Sequence, residues 1–364
     1  MKRYLSLDIL RGLTVAFMVL VNNPGSWDCI YPPLRHASWD GCTPCDLVFP
    51  FFLFCVGVSM VFALAKYPGL TSEALKKIFR RGALLYLVGL GLSAFPFYPQ
   101  IQDPGLSFWQ NWVQWAGNVR FLGVLPRIAI CYVLASIIVL SIKNTKRLIG
   151  VIALLCLLHV GLLVLFAGPE GAFSLEGCFA RKLDMAMLGS HISHNYGLPF
   201  EPEGLLGTLT STATVLLGYV IGQQTRNTSP LEASAKIFSL SAGLLLGGMA
   251  LSLVIPINKP LWSASYVLFT AGWASFAFAL FIYLIDVRGW EKPFFPFKAL
   301  GMNALILFVL SGLLGRVVWM FVKWDHSAFF GQSEFASLCY AVVYMALHLM
   351  IAVVLYKKKI FIKL

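Results

Sequence analysis

The chain is 364 residues long; 59% of them are hydrophobic, 14% aromatic and 12% charged, and the mean hydropathy is +0.78. No water-soluble domain hides that much apolar surface in one core, which excludes soluble enzymes and binding modules. The net charge of +12 does not point to nucleic acid: the positive-inside rule gives any polytopic membrane protein a basic excess, and no basic domain is present to carry such a partner.

In chain order, the first apolar run begins at Leu5. It holds Asp8 and Arg11 in its early turns and no small-residue cleavage pattern follows it, so it reads as a retained helix and not as a signal peptide. Runs of about 20 apolar residues, enough to cross a bilayer as a helix, recur to the end of the chain, and the alternating pattern of a β-barrel does not fit. The expected fold is all-α and polytopic, with ten transmembrane helices at 5–25, 46–65, 78–96, 121–142, 148–167, 204–223, 236–256, 261–285, 298–320 and 336–356. With the N-terminus in the cytoplasm, the inner segments hold 19 cations and the outer ones 6, counting Lys2, Arg3 and Lys363 inside and Lys323 outside. That bias puts both termini on the cytoplasmic side. Three outer segments are long, 26–45, 97–120 and 168–203, and long loops that are not linkers tend to be functional. The last of them divides the chain into two five-helix halves, 1–167 and 204–364, and no internal repeat is visible.

The stretch LRHASWDGCTPCDLVFPFFLF carries a histidine, two aspartates and two cysteines into an apolar span. His36 has Asp40 four residues on and Asp46 where the second helix begins. Histidine titrates near neutrality, so it can take a proton from an amine or hydroxyl while a carboxylate shapes it; the bland alternative is a solvated loop residue. Asp8 and Arg11, at i and i+3, share one face, and ionisable groups inside a span are functional or paired. Asn22 and Asn23 end the first helix just before Pro24, as a plain terminus or as an amide able to polarise a carbonyl. NVRFLGVLPRIAICY carries Arg120 and Arg127, seven residues apart and so expected on one helical face; arginine forks suit phosphate or carboxylate. FEPEGLLGTL brings Glu201 and Glu203 to the start of a helix, where acidic residues are favoured in any case. Trp109, Trp112 and Trp115 form a stripe that fits an interfacial belt, with stacking on a sugar ring the alternative.

Cys42 and Cys45 have redox spacing and, with Cys29 and Cys178, fall on the outer side. A structural disulfide is one reading there, with the pairing open; the missing βαβ context excludes a thioredoxin-like oxidoreductase. Zinc would need His36, Cys42 and Cys45 to converge, His191 and His194 fit a polar loop better than a metal site, and no metal is expected. His159 and His348 read as helix-packing residues.

In their order, LDILRGLTVAFMVLVNNPG, HASWDG running into CDLVFPFFLFCVGVS, RFLGVLPRIAICY, EPEGLLGTL, PINKPLWSASYVLFTAG, LGMNALILFV and LYKKKIFIK resemble the heparan-α-glucosaminide N-acetyltransferase family and its bacterial relatives in the transmembrane acyltransferase superfamily. The resemblance covers nearly the whole chain. It implies transfer of an acetyl group from cytosolic acetyl-CoA to the amine of a glucosamine on the far side of the bilayer. The family's active histidine then falls on His36, its helix-one aspartate and arginine on Asp8 and Arg11, and its asparagine on Asn22. This chain has Pro126 where the family commonly has Gln, and Glu201 where it has Asp.

On this basis His36 is expected to act as general base or acetyl carrier, with Asp46 or Asp40 orienting it and Asn22 donating to the oxyanion. Asp8, Arg11, Arg120, Arg127, Arg288, Lys292 and Asn303 are expected to hold acetyl-CoA, and Trp39, Glu203, Asn258 and Trp262 the sugar. The lumenal domain of the lysosomal enzyme is expected to be missing, because Met1 stands only a few residues before the first helix. A bacterial inner-membrane protein acting on small amino sugars follows, with a homodimer expected by family analogy. The rival is an amino-sugar transporter without chemistry, using Asp8 and His36 as a proton relay.

Overall fold

The computed structural model describes residues 4–99, 103–194, 196–318, 320 and 333–362. Lys2, Arg3, Lys323 and Lys363 of the charge count lie outside these. Among the described residues the chain is helical, with no β-strand. The α-helices are α1 (Leu5–Val21), α2 (Val48–Ala63), α3 (Ser72–Ala94), α4 (Phe108–Gly117), α5 (Val124–Ser141), α6 (Thr145–Leu165), α7 (Phe179–Leu188), α8 (Gly207–Gln223), α9 (Pro230–Leu251), α10 (Ala264–Phe281), α11 (Phe295–Met302), α12 (Ala304–Val317) and α13 (Glu334–Lys357).

Each of the ten expected spans coincides with a helix, but not all ten meet the demands of a bilayer. Among the described residues, six stretches are long and apolar enough to cross one: Pro44–Ala63, Val124–Ser141, Thr145–Leu165, Pro230–Leu251, Ala264–Val287 and Glu334–Lys357. α1 and α8 have 17 residues each, roughly 26 Å at 1.5 Å per residue against a hydrocarbon core of about 30 Å. α3 is long but begins with Glu73, Lys76, Lys77, Arg80 and Arg81. The span expected at 298–320 is broken: α11 and α12 meet at 77°, with Asn303 between them in a non-helical conformation. Two of the long loops contain helices of their own, α4 and α7.

By packing, the chain falls into two compact units, each discontinuous in sequence. The first comprises residues 1–63, 217–250 and 268–363. Its core gathers Ile9, Leu10, Phe54, Cys55, Val58, Phe278 and Ile282. The N-terminal amides of α1 have no cap from Tyr4; Leu5 and Ser6 donate instead to the carboxylate of Asp286. α1 and α11 touch backbone to backbone, because a Cβ on Gly12 would come 1.8 Å from the Phe297 carbonyl oxygen and one on Gly301 would come 1.8 Å from that of Asp8. Only glycine permits that approach.

The second unit comprises residues 64–216 and 251–267. Here α3 packs along α5, with Arg81 over the Tyr132 ring at 5.0 Å. Pro126 lies in the first turn of α5 after Gly123, where a missing N–H costs no helical hydrogen bond. Asn144 caps α6 by accepting from Lys146 and Arg147.

Candidate active site

The segment 36–46 is built around one carboxylate. Thr43 begins a short 3₁₀ turn, Pro44–Leu47, with a capping box in which Asp46 reaches back to the Thr43 amide. Asp46 Oδ2 accepts from the backbone of Ala37 at 3.1 Å and of Thr43 at 3.0 Å. Thr43 Oγ1 lies 3.1 Å from it and donates to the Arg35 carbonyl at 2.7 Å. These bonds hold the buried side chain so that Oδ1 faces His36 Nδ1 at 2.7 Å. A carboxylate accepts, so Nδ1 carries the hydrogen and Nε2 keeps its lone pair. The side chain of Asp46 is 1% exposed and that of His36 49%: the carboxylate is inside and the ring reaches the surface.

Cys45 is the neighbour that sequence reasoning did not assign. Its sulfur is 3.2 Å from Nδ1 and 3.8 Å from Nε2; since Asp46 takes the in-plane position at Nδ1, the thiol lies against the ring. No disulfide joins the described cysteines. Of the two carboxylates considered, Asp46 orients the histidine and Asp40 is exposed. Asn22 is exposed at the end of α1, and Trp39 is half-buried.

Elsewhere in the first unit, Arg11 donates to Asp8 and to the Gly301 carbonyl, both at 2.8 Å, so this pair also clamps α1 to α11. Asn303 is 1% exposed, and both ends of its amide hold the C-terminal segment through Ile360 and Ile362. Arg288 and Lys292 are exposed.

The second unit contains a polar cluster of another kind. Arg120 precedes α5, so it does not share a helical face with Arg127. Its guanidinium grips Glu201, with Nε to Oε2 at 2.7 Å, and its Nη2 also bonds Glu201 and Glu203. The two glutamates therefore serve this arginine and do not open α8, which starts at Gly207. Arg127 is fully buried. Its Nη2 donates to the Gly204 carbonyl at 2.7 Å and its plane lies 5.3 Å from the Trp262 ring centroid, while Nε and Nη1 make no hydrogen bond. Trp262, buried with φ of 55°, donates from its indole to Thr214 at 3.1 Å. Asn258 accepts from the Leu261 amide at 2.7 Å.

Asp184 on α7 completes the cluster without any sequence signal. It accepts from the Leu205 amide at 2.8 Å, and its other oxygen has no partner. Burial pushes its carboxyl up to about 7. Burial also raises Glu201 despite its bonds to Arg120, whereas at Glu203 the charges of Arg120, Arg127 and Lys259 overcome burial and hold the carboxylate ionised. His191 donates to the Val119 carbonyl at 2.8 Å and stacks on Phe121 at 3.7 Å.

Residues 3–169, which include the whole His36 segment, match the family model described as heparan-alpha-glucosaminide N-acetyltransferase, catalytic. The family resemblance read from the sequence holds. The chain is 28% identical, over 98% of its length, to the heparan-alpha-glucosaminide N-acetyltransferase of Mus musculus, and 27% identical over its full length to that of Homo sapiens. It spans 60% of the length of each of these relatives.

Proposed function

We propose that the protein is a membrane N-acetyltransferase that moves the acetyl group of acetyl-CoA to the amine of a glucosamine-type sugar. The observation that carries this reading is the 2.7 Å hydrogen bond between Asp46 and His36 Nδ1, which puts the hydrogen on Nδ1 and the lone pair on Nε2 of a half-exposed ring. The match of residues 3–169 to an N-acetyltransferase family supports it independently.

In the mechanism, Nε2 takes a proton from the sugar amine as nitrogen attacks the thioester carbonyl. The C–S bond breaks, the CoA thiolate leaves, and the imidazolium returns the proton to it. Asp46 stabilises that imidazolium and keeps the tautomer fixed. General-base help of this kind is worth about 10² to 10⁴ in rate. Asn22 is assigned to the oxyanion. An acetyl-His36 intermediate is the competing chemistry.

The donor is assigned to the cytosolic side and the acceptor to the opposite side, on the distribution of basic residues. The nucleotide phosphates are assigned to the exposed Arg288 and Lys292. Arg11, Arg120, Arg127 and Asn303 each already hold internal partners, so their roles in binding would require those bonds to be shared. Trp39, Glu203, Asn258 and Trp262 remain assigned to the sugar.

Purified protein in vesicles, given labelled acetyl-CoA and glucosamine, is expected to yield acetylated sugar. Uptake of unmodified sugar with no acetylated product would remove the enzyme reading in favour of a transporter. Acetyl label retained on the protein without sugar would favour the covalent route.

A further inference from the structure

α4 has its apolar side outward. Phe108, Trp109 and Val113 are 60%, 74% and 73% exposed. At 3.6 residues per turn, they fall with Trp112 and Ala116 in a single arc of roughly 140°. The exposed Gln110 and Gln114 occupy the opposite arc, and the third side carries the buried Asn111. That amide is bound to its own loop: Oδ1 accepts from the Asp103 amide at 2.8 Å, and Nδ2 donates to the carbonyls of Asp103, Leu106 and Ser107. Ser107 and Gln110 form a capping box, so the helix is well started and anchored by polar bonds, while Phe108, Trp109 and Val113 stay exposed among the described residues.

Two further facts identify the cover. Residues 104–119 contain no charged side chain, whereas a surface helix in water normally carries charge on its exposed side. The link from Gly117 to Val124 is too short to stray: at about 3.4 Å per residue it spans at most roughly 24 Å, and α5 is long and apolar enough to cross a membrane. A sugar platform would need hydrogen-bonding groups beside the rings, and the arc from Phe108 to Val113 offers only the indole N–H groups.

We infer that α4 lies in the plane of the membrane, with Phe108, Trp109, Trp112 and Val113 in the boundary between headgroups and acyl chains and with Gln110 and Gln114 toward water. Tryptophan suits that depth. With no lysine or arginine on the helix, its affinity rests on apolar burial and not on lipid charge.

The test introduces p-benzoylphenylalanine at Val113 and, in a second variant, at Trp109, in the full chain reconstituted in phosphatidylcholine nanodiscs. Leu157, a 70% exposed residue of α6, and the exposed Glu176 are the comparison positions. After irradiation, phospholipid adducts are expected at 113 and 109 as at 157, severalfold above those at 176. Adducts no higher at 113 and 109 than at 176 would overturn the inference, as would cross-links to a second copy of the chain. Loss of the lipid adduct when amino-sugar oligosaccharide is added would overturn it in favour of a carbohydrate platform.

Discussion

The segment around His36 and the cluster around Arg127 are both polar groups set in a membrane protein, yet they are built by opposite rules. At His36 the buried member, Asp46, has its oxygens satisfied by backbone amides and the ring, and the ring itself is half-exposed. In the cluster, Arg127, Asp184, Glu201 and Glu203 are all buried, and the unsatisfied atoms are on Arg127 and Asp184. A half-exposed imidazole can reach a substrate from where it stands, whereas an unsatisfied donor in the interior is a standing cost of about 1–3 kcal/mol. The first arrangement is suited to chemistry; the second is suited to holding four chain segments in register.

The sharpest way to break this contrast is to remove each centre and read activity and stability together. His36→Ala is expected to cut acetyl transfer by about 10² to 10⁴ at a small cost in thermal stability, since the buried Asp46 Oδ1 loses its donor. Full turnover in that variant would end the proposal. Asp46→Asn should lose activity for the same reason, because the amide spoils the tautomer, and should also lose about 1 kcal/mol of stability through the capping box. Arg127→Met reverses the pattern: stability should fall by about 1.5–3 kcal/mol, the worth of a hydrogen bond from a charged donor, here the one to the Gly204 carbonyl, measured as a drop in unfolding temperature or in folded yield. If Arg127→Met is as stable as the parent, the cluster is not architectural.

A smaller effect tests the glycine that lets the cluster close. A Cβ on Gly204 would lie 1.8 Å from Asp184 Oδ2, so Gly204→Ala should cost about 1–3 kcal/mol by overpacking. Adding Asp184→Ala removes the obstructing oxygen, and the two penalties should then be less than additive. Strict additivity would mean that the two residues do not meet.

These contrasts also explain which parts of the molecule were legible in the sequence. Apolar run length located a helix at each of the ten expected positions, because in a bilayer the spanning signal is local. It missed the break at Asn303, since α11 and α12 are apolar on both sides of it and a single asparagine gives no turn signal. α4 and α7 were hidden inside loops because each is only ten residues long. At the site, His36 stood out, but the choice between Asp40 and Asp46 needed the capping pattern T-x-x-D ahead of the apolar run, a recognisable signature that composition alone does not convey. Nothing local links Asp184 to Gly204 or Arg120 to Glu201; those pairings are made by the fold. The spacing of Arg120 and Arg127 misled because the helix begins only at Val124.

The gentlest probe of the contrast is pH. Asp184 has its carboxyl pushed up to about 7 by burial, against an ordinary value near 3.9 in the unfolded chain. Between those values the unfolded chain has released the proton and the folded chain still holds it, so the folded state binds more protons and stability falls as pH rises. The contribution is fully present below about pH 4 and lost by about pH 7, with no further change from this group above that. Asp184→Asn, which cannot ionise, should flatten the unfolding temperature across that window. It should leave the pH profile of acetyl transfer unaltered if the cluster only supports the fold. A shifted activity profile with an unchanged stability profile would instead make Asp184 part of the chemistry and erase the distinction between the two regions.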